Sequence, residues 1–387
     1  MTLHAALNEQ LLELERLGLT RQRRTLEAPC GPLAQVDGQS VISFCSNDYL
    51  GLANDPALVE AACAGAKIWG VGSGASHLVS GHQTPHDALE RRLAAFTGLA
   101  RALFFSTGYM ANLGLITALA GREAAVFADK LNHASLIDAV QLSRAQSRRY
   151  PHGDLARLEA LLASSPAKQK LIVTDAVFSM DGDLAPLPEL LALAERFNAW
   201  LVVDDAHGFG VLGAQGRGSL AHFSLPPSDR LVYMGTLGKA AGASGAFVAG
   251  SSALIEWLVQ RARTYMFSTG SSPMIACALL ASLDLIESGD ARRRHLQQLI
   301  AQLQDGLAQA TPSWSLLPSP TAIQALVIGD NREALRLADA LYQRGLWVPA
   351  IRPPSVPEGR ARLRISLSAA HKPEQVAALI EALRELA

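Results

Sequence analysis

The stretch Trp200-Leu201-Val202-Val203-Asp204-Asp205-Ala206-His207-Gly208 decides the fold. Its apolar run has no polar alternation, so it reads as a strand buried on both faces. Helical spacing precedes it over residues 187–198, and a second apolar run follows at 231–234. Strands of this kind between helices form a mostly parallel sheet covered on both sides. The run ends in a carboxylate, with a histidine three residues on. Ligands of open α/β sheets lie at the carboxyl ends of the strands. Taken alone, Asp204 is equally a turn or cap residue.

The same alternation extends in both directions. Helical spacing is expected over residues 87–96, 109–120, 135–144 and 155–162, with strands over 102–105, 124–128 and 170–175. After about residue 280 the pattern loosens into helices over 275–287 and 295–310, strands over 322–328 and 363–367, and a terminal helix from Pro373. This reads as a smaller α+β domain. The expected division is 1–45 as an N-terminal helix and arm, 46–280 as a large domain and 281–387 as a small one. In the first segment Leu7, Leu11, Leu14 and Leu17 form one helical stripe.

Composition bounds the reading. A chain of 387 residues is two domains, or three, at about 150 residues each. At 49% hydrophobic and 18% charged residues it has ample apolar material for a core, which excludes disorder. A chain this long buries roughly 75% of its unfolded surface without staples. Lys and Arg total 34 against 35 Asp and Glu, a formal charge of −1, so no general nucleic-acid signature is present. The N-terminus carries Glu9, Glu13, Glu15 and Arg16 where a signal peptide needs an apolar run. Residues 240–255 are uncharged but rich in Gly and Ser, and too short to span a bilayer. Cys30, Cys45, Cys63 and Cys277 form no CxxC pair or zinc spacing. Reduced thiols and a cytoplasmic location are expected.

Several familiar motifs fail. Met234–Ala240, MGTLGKA, has Tyr233 where a P-loop needs Gly and Ala240 where it needs Ser or Thr. Gly70-Val71-Gly72-Ser73-Gly74 lacks the GxGxxG spacing. GxSxG and HExxH do not occur. His82 and His86 are four apart with Pro85 between them, which reads as structural or surface histidines, with no metal expected.

Three features converge. The first is Asp204 with His207. The second is Thr236-Leu237-Gly238-Lys239, followed by Gly242, Ser244 and Gly245. Most lysines are solvated, but one walled by glycine admits a flat ligand, and desolvation eases its deprotonation for Schiff-base chemistry. The third is Ser106-Thr107-Gly108-Tyr109 at a helix start. Free backbone N–H groups there bind phosphate, though a plain N-cap uses the same residues. A phosphate cradle, a lysine and a strand-end aspartate are together what pyridoxal 5'-phosphate requires. Charges ~4 Å apart at an effective dielectric of ~20 attract by about 4 kcal/mol, about three pKa units. That keeps the pyridinium protonated.

With those residues in view, the chain resembles the α-oxoamine synthases, pyridoxal-phosphate enzymes of aspartate-aminotransferase-like fold (fold type I). The resemblance runs from about Ser46 to the C-terminus. It rests on Asn47-Asp48-Tyr49-Leu50-Gly51-Leu52, Ser106-Thr107-Gly108-Tyr109, Ser179-Met180-Asp181-Gly182-Asp183, Asp204-Asp205-Ala206-His207-Gly208 and Thr236-Leu237-Gly238-Lys239. The resemblance implies that Lys239 bonds the cofactor aldehyde and later moves a proton. Asp204 would pair with the pyridine nitrogen, and His207 with the ring hydroxyl. His133, otherwise a helix-cap neighbour, would stack on the ring. Gly108 and Tyr109 would line the cofactor site, Ser179 and Thr236 would bond cofactor oxygens, and Thr269 would reach the cofactor phosphate of a partner subunit. Asn47 and Arg352 would hold an amino-acid carboxylate, which suits a guanidinium fork. Arg21 would contact the acyl substrate, and Ser355 stands where relatives usually carry Thr. Gly270 and its neighbouring serines also depart from the family pattern.

Residues 74–82, GASHLVSGH, and 350–354, AIRPP, favour the member that joins L-alanine to a pimeloyl group. The group would arrive on CoA (pimeloyl-CoA) or on pimeloyl-acyl-carrier protein, and the product serves biotin biosynthesis. The alternatives are glycine C-acetyltransferase of the same family and a non-catalytic binding protein on the same fold. A homodimer with a shared active site is the assembly implied; no nucleic acid, membrane or metal is expected.

Overall fold

The computed structural model describes residues 2–308 and 314–387. It divides into two compact units: Leu50–Ser179 with Asp183–Arg293, and Met1–Tyr49 with Met180–Gly182 and Arg294–Ala387. The N-terminal 45 residues therefore fall within the same unit as the C-terminal segment.

The larger unit is built on seven strands. They are β1 (Arg101–Phe105), β2 (Ala124–Asp129), β3 (Gln146–Tyr150), β4 (Gln169–Asp175), β5 (Ala199–Asp204), β6 (Leu231–Thr236) and β7 (Ala246–Gly250). Their spatial order is β1-β7-β6-β5-β4-β2-β3. Pairs from β6 through β3 are parallel; β7 alone runs against its neighbours. Helices lie on both faces. On one, Leu115, Ile116, Leu136, Val140, Ile255 and Leu258 pack on Val126, Val173, Val202 and Val248. The strand β3, QSRRY, escaped the apolar reading because it is a polar sheet edge with four of its five residues at least partly exposed. β7 lies inside the uncharged stretch 240–255, where small residues hid a fully buried strand.

In the smaller unit an antiparallel sheet runs Ser315–Leu316, Ile323–Gly329, Ala361–Ser366 and Ala350–Ile351. A second sheet pairs Leu33–Val36 with Gln39–Ser43, and the latter with Leu346–Trp347. The helix expected over 295–310 begins earlier and is seen as Asp290–Ala308; residues 309 and 310 lie outside the described residues. The N-terminal helix Leu3–Arg16 buries none of its residues. Leu7, Leu11 and Leu14 are exposed, as is Leu17 just beyond it. Among the described residues no helix is long and apolar enough to cross a membrane.

The turn after β6 depends on one glycine. Gly242 has φ +71°, and a Cβ there would stand 2.5 Å from the Leu52 carbonyl carbon and 2.7 Å from the Ala53 nitrogen. Backbone cannot yield as a flexible side chain does. Gly242→Ala is expected to cost about 2–4 kcal/mol, read by urea unfolding. A loss below about 1 kcal/mol would contradict this packing.

Candidate active site

The candidate residues of the larger unit stand at five strand ends, those of β1, β2, β4, β5 and β6. Asp204 closes β5, opposite Asp175 of β4 and Met234 of β6. It is buried, with 3% exposure. Its Oδ2 accepts from Asn112 Nδ2 at 2.7 Å, and its Oδ1 from the Ala206 N–H at 3.0 Å. Both of these donors are neutral. Asn112 comes from the helix Gly108–Leu119 and also donates to Ser135 Oγ at 2.9 Å.

Asp175 is a second buried carboxyl beside the first. Burial, reinforced by the Asp204 charge, pushes it well above the usual carboxylate range. Its Oδ2 accepts the His133 N–H at 2.7 Å. His133 is the N-cap of the helix Ala134–Ser143, with Nδ1 taking the Ser135 N–H at 3.3 Å. Burial holds this imidazole below its ordinary value; Asp204 opposes that and Lys239 adds to it. The ring is thus a neutral flat surface as well as a cap.

Lys239 follows β6 in a turn closed by Leu237 N–H to Gly245 O at 2.8 Å and Gly242 N–H to Lys239 O at 2.8 Å. Its Nζ donates to His207 Nε2 at 2.9 Å. Thr236 is buried and donates to Gly245 O at 3.2 Å. At the start of the helix Gly108–Leu119, Thr107 Oγ1 takes the Met110 N–H at 3.1 Å. Ser271 Oγ donates to Ser106 Oγ at 3.0 Å. A Cβ on Gly108 would come within 3.8 Å of Thr236 Oγ1, which brings the helix start close to the lysine-bearing strand. Tyr109 is half-exposed and bonds Asp138 through its hydroxyl. Ser179 lies partly buried on a loop closed by the Val177–Leu184 bridge. Thr269 is exposed and pairs with Ser76.

Asn47, Arg21, Arg352 and Ser355 belong to the smaller unit. Asn47 Oδ1 accepts from the Tyr49 hydroxyl at 3.1 Å and from both terminal nitrogens of Arg364 at 3.2 Å. The Arg352 guanidinium donates to the carbonyls of Gly18 and Thr20. Burial and the neighbouring Arg21 charge lower its pKa. Ser355 is exposed, and its N–H reaches Arg352 O at 3.1 Å.

Sequence reasoning missed Asn112, Asp175, Ser135 and Arg364. Two of them left a signal. Asn112 is a lone amide in the apolar helix GYMANLGLITAL, and Asp175 ends an apolar strand as Asp204 does. His82 and His86 join His77 in a cluster whose ligand atoms lie within 4.8 Å of one another. His86 is committed to protein partners at both nitrogens, taking the Gln83 N–H at 3.0 Å and meeting Ser271 O at 2.8 Å.

This donor set fits pyridoxal phosphate. A buried carboxylate with neutral partners suits a pyridinium, a lysine amine suits an aldehyde, and a hydroxyl-lined helix start suits a phosphate. Fold and site together define a pyridoxal-phosphate enzyme of fold type I. The pattern of the family "Aminotransferase class I and II" matches residues 39–383. An 8-amino-7-oxononanoate synthase of Herminiimonas arsenicoxydans is 66% identical over 382 residues, 98% of each chain. One from Dechloromonas aromatica is 62% identical, covering 98% of this chain and 99% of its own. A solved serine palmitoyltransferase from S. paucimobilis, with a bound PLP–myriocin aldimine, superposes with a TM-score of 0.93 at 30% identity, covering 100% of this chain and 98% of its own. The chain belongs to the class I and II aminotransferases and, among them, to the 8-amino-7-oxononanoate synthase family.

Asp205, beside Asp204, is fully buried. It accepts from the Tyr233 hydroxyl at 2.6 Å and the Ser219 N–H at 2.7 Å, while burial pushes its carboxyl up to about 7. A pKa raised on folding contributes stability that is full below the unfolded value and lost as pH rises through the folded one. Asp205→Asn is therefore expected to flatten stability against pH between about 4 and 7, by at most about 1.4 kcal/mol per pH unit. Urea midpoints across that window measure it, and an unchanged slope would contradict the assignment.

Proposed function

We propose that this protein joins L-alanine to a pimeloyl thioester, releasing CO2 and free thiol and giving 8-amino-7-oxononanoate for biotin biosynthesis. The observation that carries the reading is the set Asp204 and His207 after β5, Lys239 after β6 and His133 after β2, with the His133 N–H on Asp175 of the intervening β4, in a chain with close relatives of that name.

Pyridoxal phosphate, when bound, supplies an electron sink for the charge left on the amino acid's α-carbon. Lys239 would hold its aldehyde and, once displaced by substrate, take and return the α-proton at Nζ. The 2.9 Å contact with His207 Nε2 orients that amine. Asp204, kept among neutral donors, would hold the pyridinium proton. His133 would cover one face of the ring, and Ser106, Gly108, Tyr109 and Ser271 would receive the phosphate. Ser179 and Thr236 would bond cofactor oxygens.

Asn47 and Arg352 would bind the alanine carboxylate. Three donor contacts occupy Asn47 Oδ1, so its amide N–H2 would be the group offered to the carboxylate. Arg352 and Arg21 are neighbouring cations, which suits an anionic ligand. Arg21 would meet the acyl substrate, with Ser355 nearby. A two-subunit assembly belongs to this reading. It would cover the exposed leucines of the helix Leu3–Arg16, and Thr269 would act toward the partner's cofactor. A cytoplasmic location is consistent with four unpaired cysteines.

Lys239→Ala is expected to lose visible cofactor absorbance and at least about 10³-fold in turnover. Full alanine-dependent activity in that variant would sink the assignment. Substrate choice is tested by a matrix of alanine, glycine and serine against pimeloyl-, acetyl- and succinyl-thioesters. The alanine–pimeloyl combination is expected to dominate; preferred turnover of glycine with the acetyl thioester would instead make this a glycine C-acetyltransferase.

A further inference from the structure

His152 stands in the turn after β3, between two carboxylates that no part of the reaction employs. Its Nδ1 contacts Asp129 Oδ1 and Oδ2 at 3.1 and 3.2 Å, and its Nε2 contacts Asp183 Oδ2 at 2.8 Å. Its ring meets the edge of Phe178 with centroids 4.3 Å apart. Each carboxylate anchors a different loop. Asp129 ends β2, and its Oδ1 takes the Leu131 N–H at 2.8 Å, shaping the turn that leads to His133. Asn132 of that turn is docked on Val173 O at 2.8 Å. Asp183 closes the loop that carries Ser179, with its carbonyl taking the Phe178 N–H at 3.1 Å.

We propose that His152 is a positioning residue for the cofactor, an imidazolium bolt between the two strand-end turns that present His133 and Ser179. The inference rests on the reading that those two residues face pyridoxal phosphate. The charge state agrees with the geometry: bonds to Asp129 and Asp183 raise His152 to about 10, against its partial burial. Asp129 is almost fully buried, and Asp183 Oδ1 has no hydrogen-bond partner among the described residues. Without the imidazolium both carboxylates lose a charged partner, and the turns lose their shared tie.

The test uses the purified holoenzyme and its His152→Gln, His152→Arg and Asp183→Asn variants, with pyridoxal phosphate as the probe. Release on dilution is followed by the visible absorbance and visible circular dichroism of the bound chromophore. His152→Gln is expected to release the cofactor about tenfold more readily and to show weaker visible dichroism. His152→Arg, which restores a cation with donors for both carboxylates, should recover most of both signals. Asp183→Asn keeps the side chain's shape and should move both in the same direction by less, including where His152→Gln fails to fold. Release and dichroism equal to the parent's in His152→Gln and Asp183→Asn, whatever the melting temperature does, would overturn the proposal. A parent with no Lys239-dependent absorbance would overturn the cofactor reading itself, and this inference with it.

Discussion

A negative charge held out of water at the end of β5 is the constraint on which the site depends. Asp204 is buried with 3% exposure, in surroundings where an ionised carboxylate is costly unless it is hydrogen-bonded or paired. The protein supplies neutral donors, the Asn112 amide and the Ala206 N–H. That arrangement satisfies both oxygens with neutral donors, which suits a cationic ring.

The neighbours are arranged around the same charge. Asp175, one strand over, is driven toward its protonated form by burial and by Asp204, so two carboxylates share the sheet end without two full charges. His133 is held neutral by burial, which suits a stacking surface. Lys239 meets His207 Nε2 through its amine. These groups reach one another because β4, β5 and β6 are parallel and in register. The turns that follow them all emerge on one edge.

Legibility follows burial pattern. The strands at the sheet centre were readable because both of their faces are apolar, and the turn residues after β5 and β6 stood out against those runs. β3 was not readable, since an edge strand that meets water has no reason to be apolar. β7 was hidden because its Gly and Ala look like loop composition until neighbouring strands enclose them. Asn112 and Asp175 carry ordinary residue types. Only their positions beside Asp204 give them a role, and those positions are set by helix packing and strand register.

The sequence by itself determined the class of fold, the lysine, the strand-end aspartate and the hydroxyl-rich helix start, because each is a local pattern of polarity and spacing. The motifs also carried the family resemblance. Only the tertiary structure decided which carboxyl is pushed toward its protonated form, which amide satisfies Asp204 and which histidine lies between two carboxylates. It also showed that His86 is committed to the Gln83 N–H and the Ser271 carbonyl, although its spacing from His82 had raised the question of a metal. Those outcomes depend on distances between residues far apart in the chain. Burial then converts those distances into charge states, and no local stretch of sequence contains either.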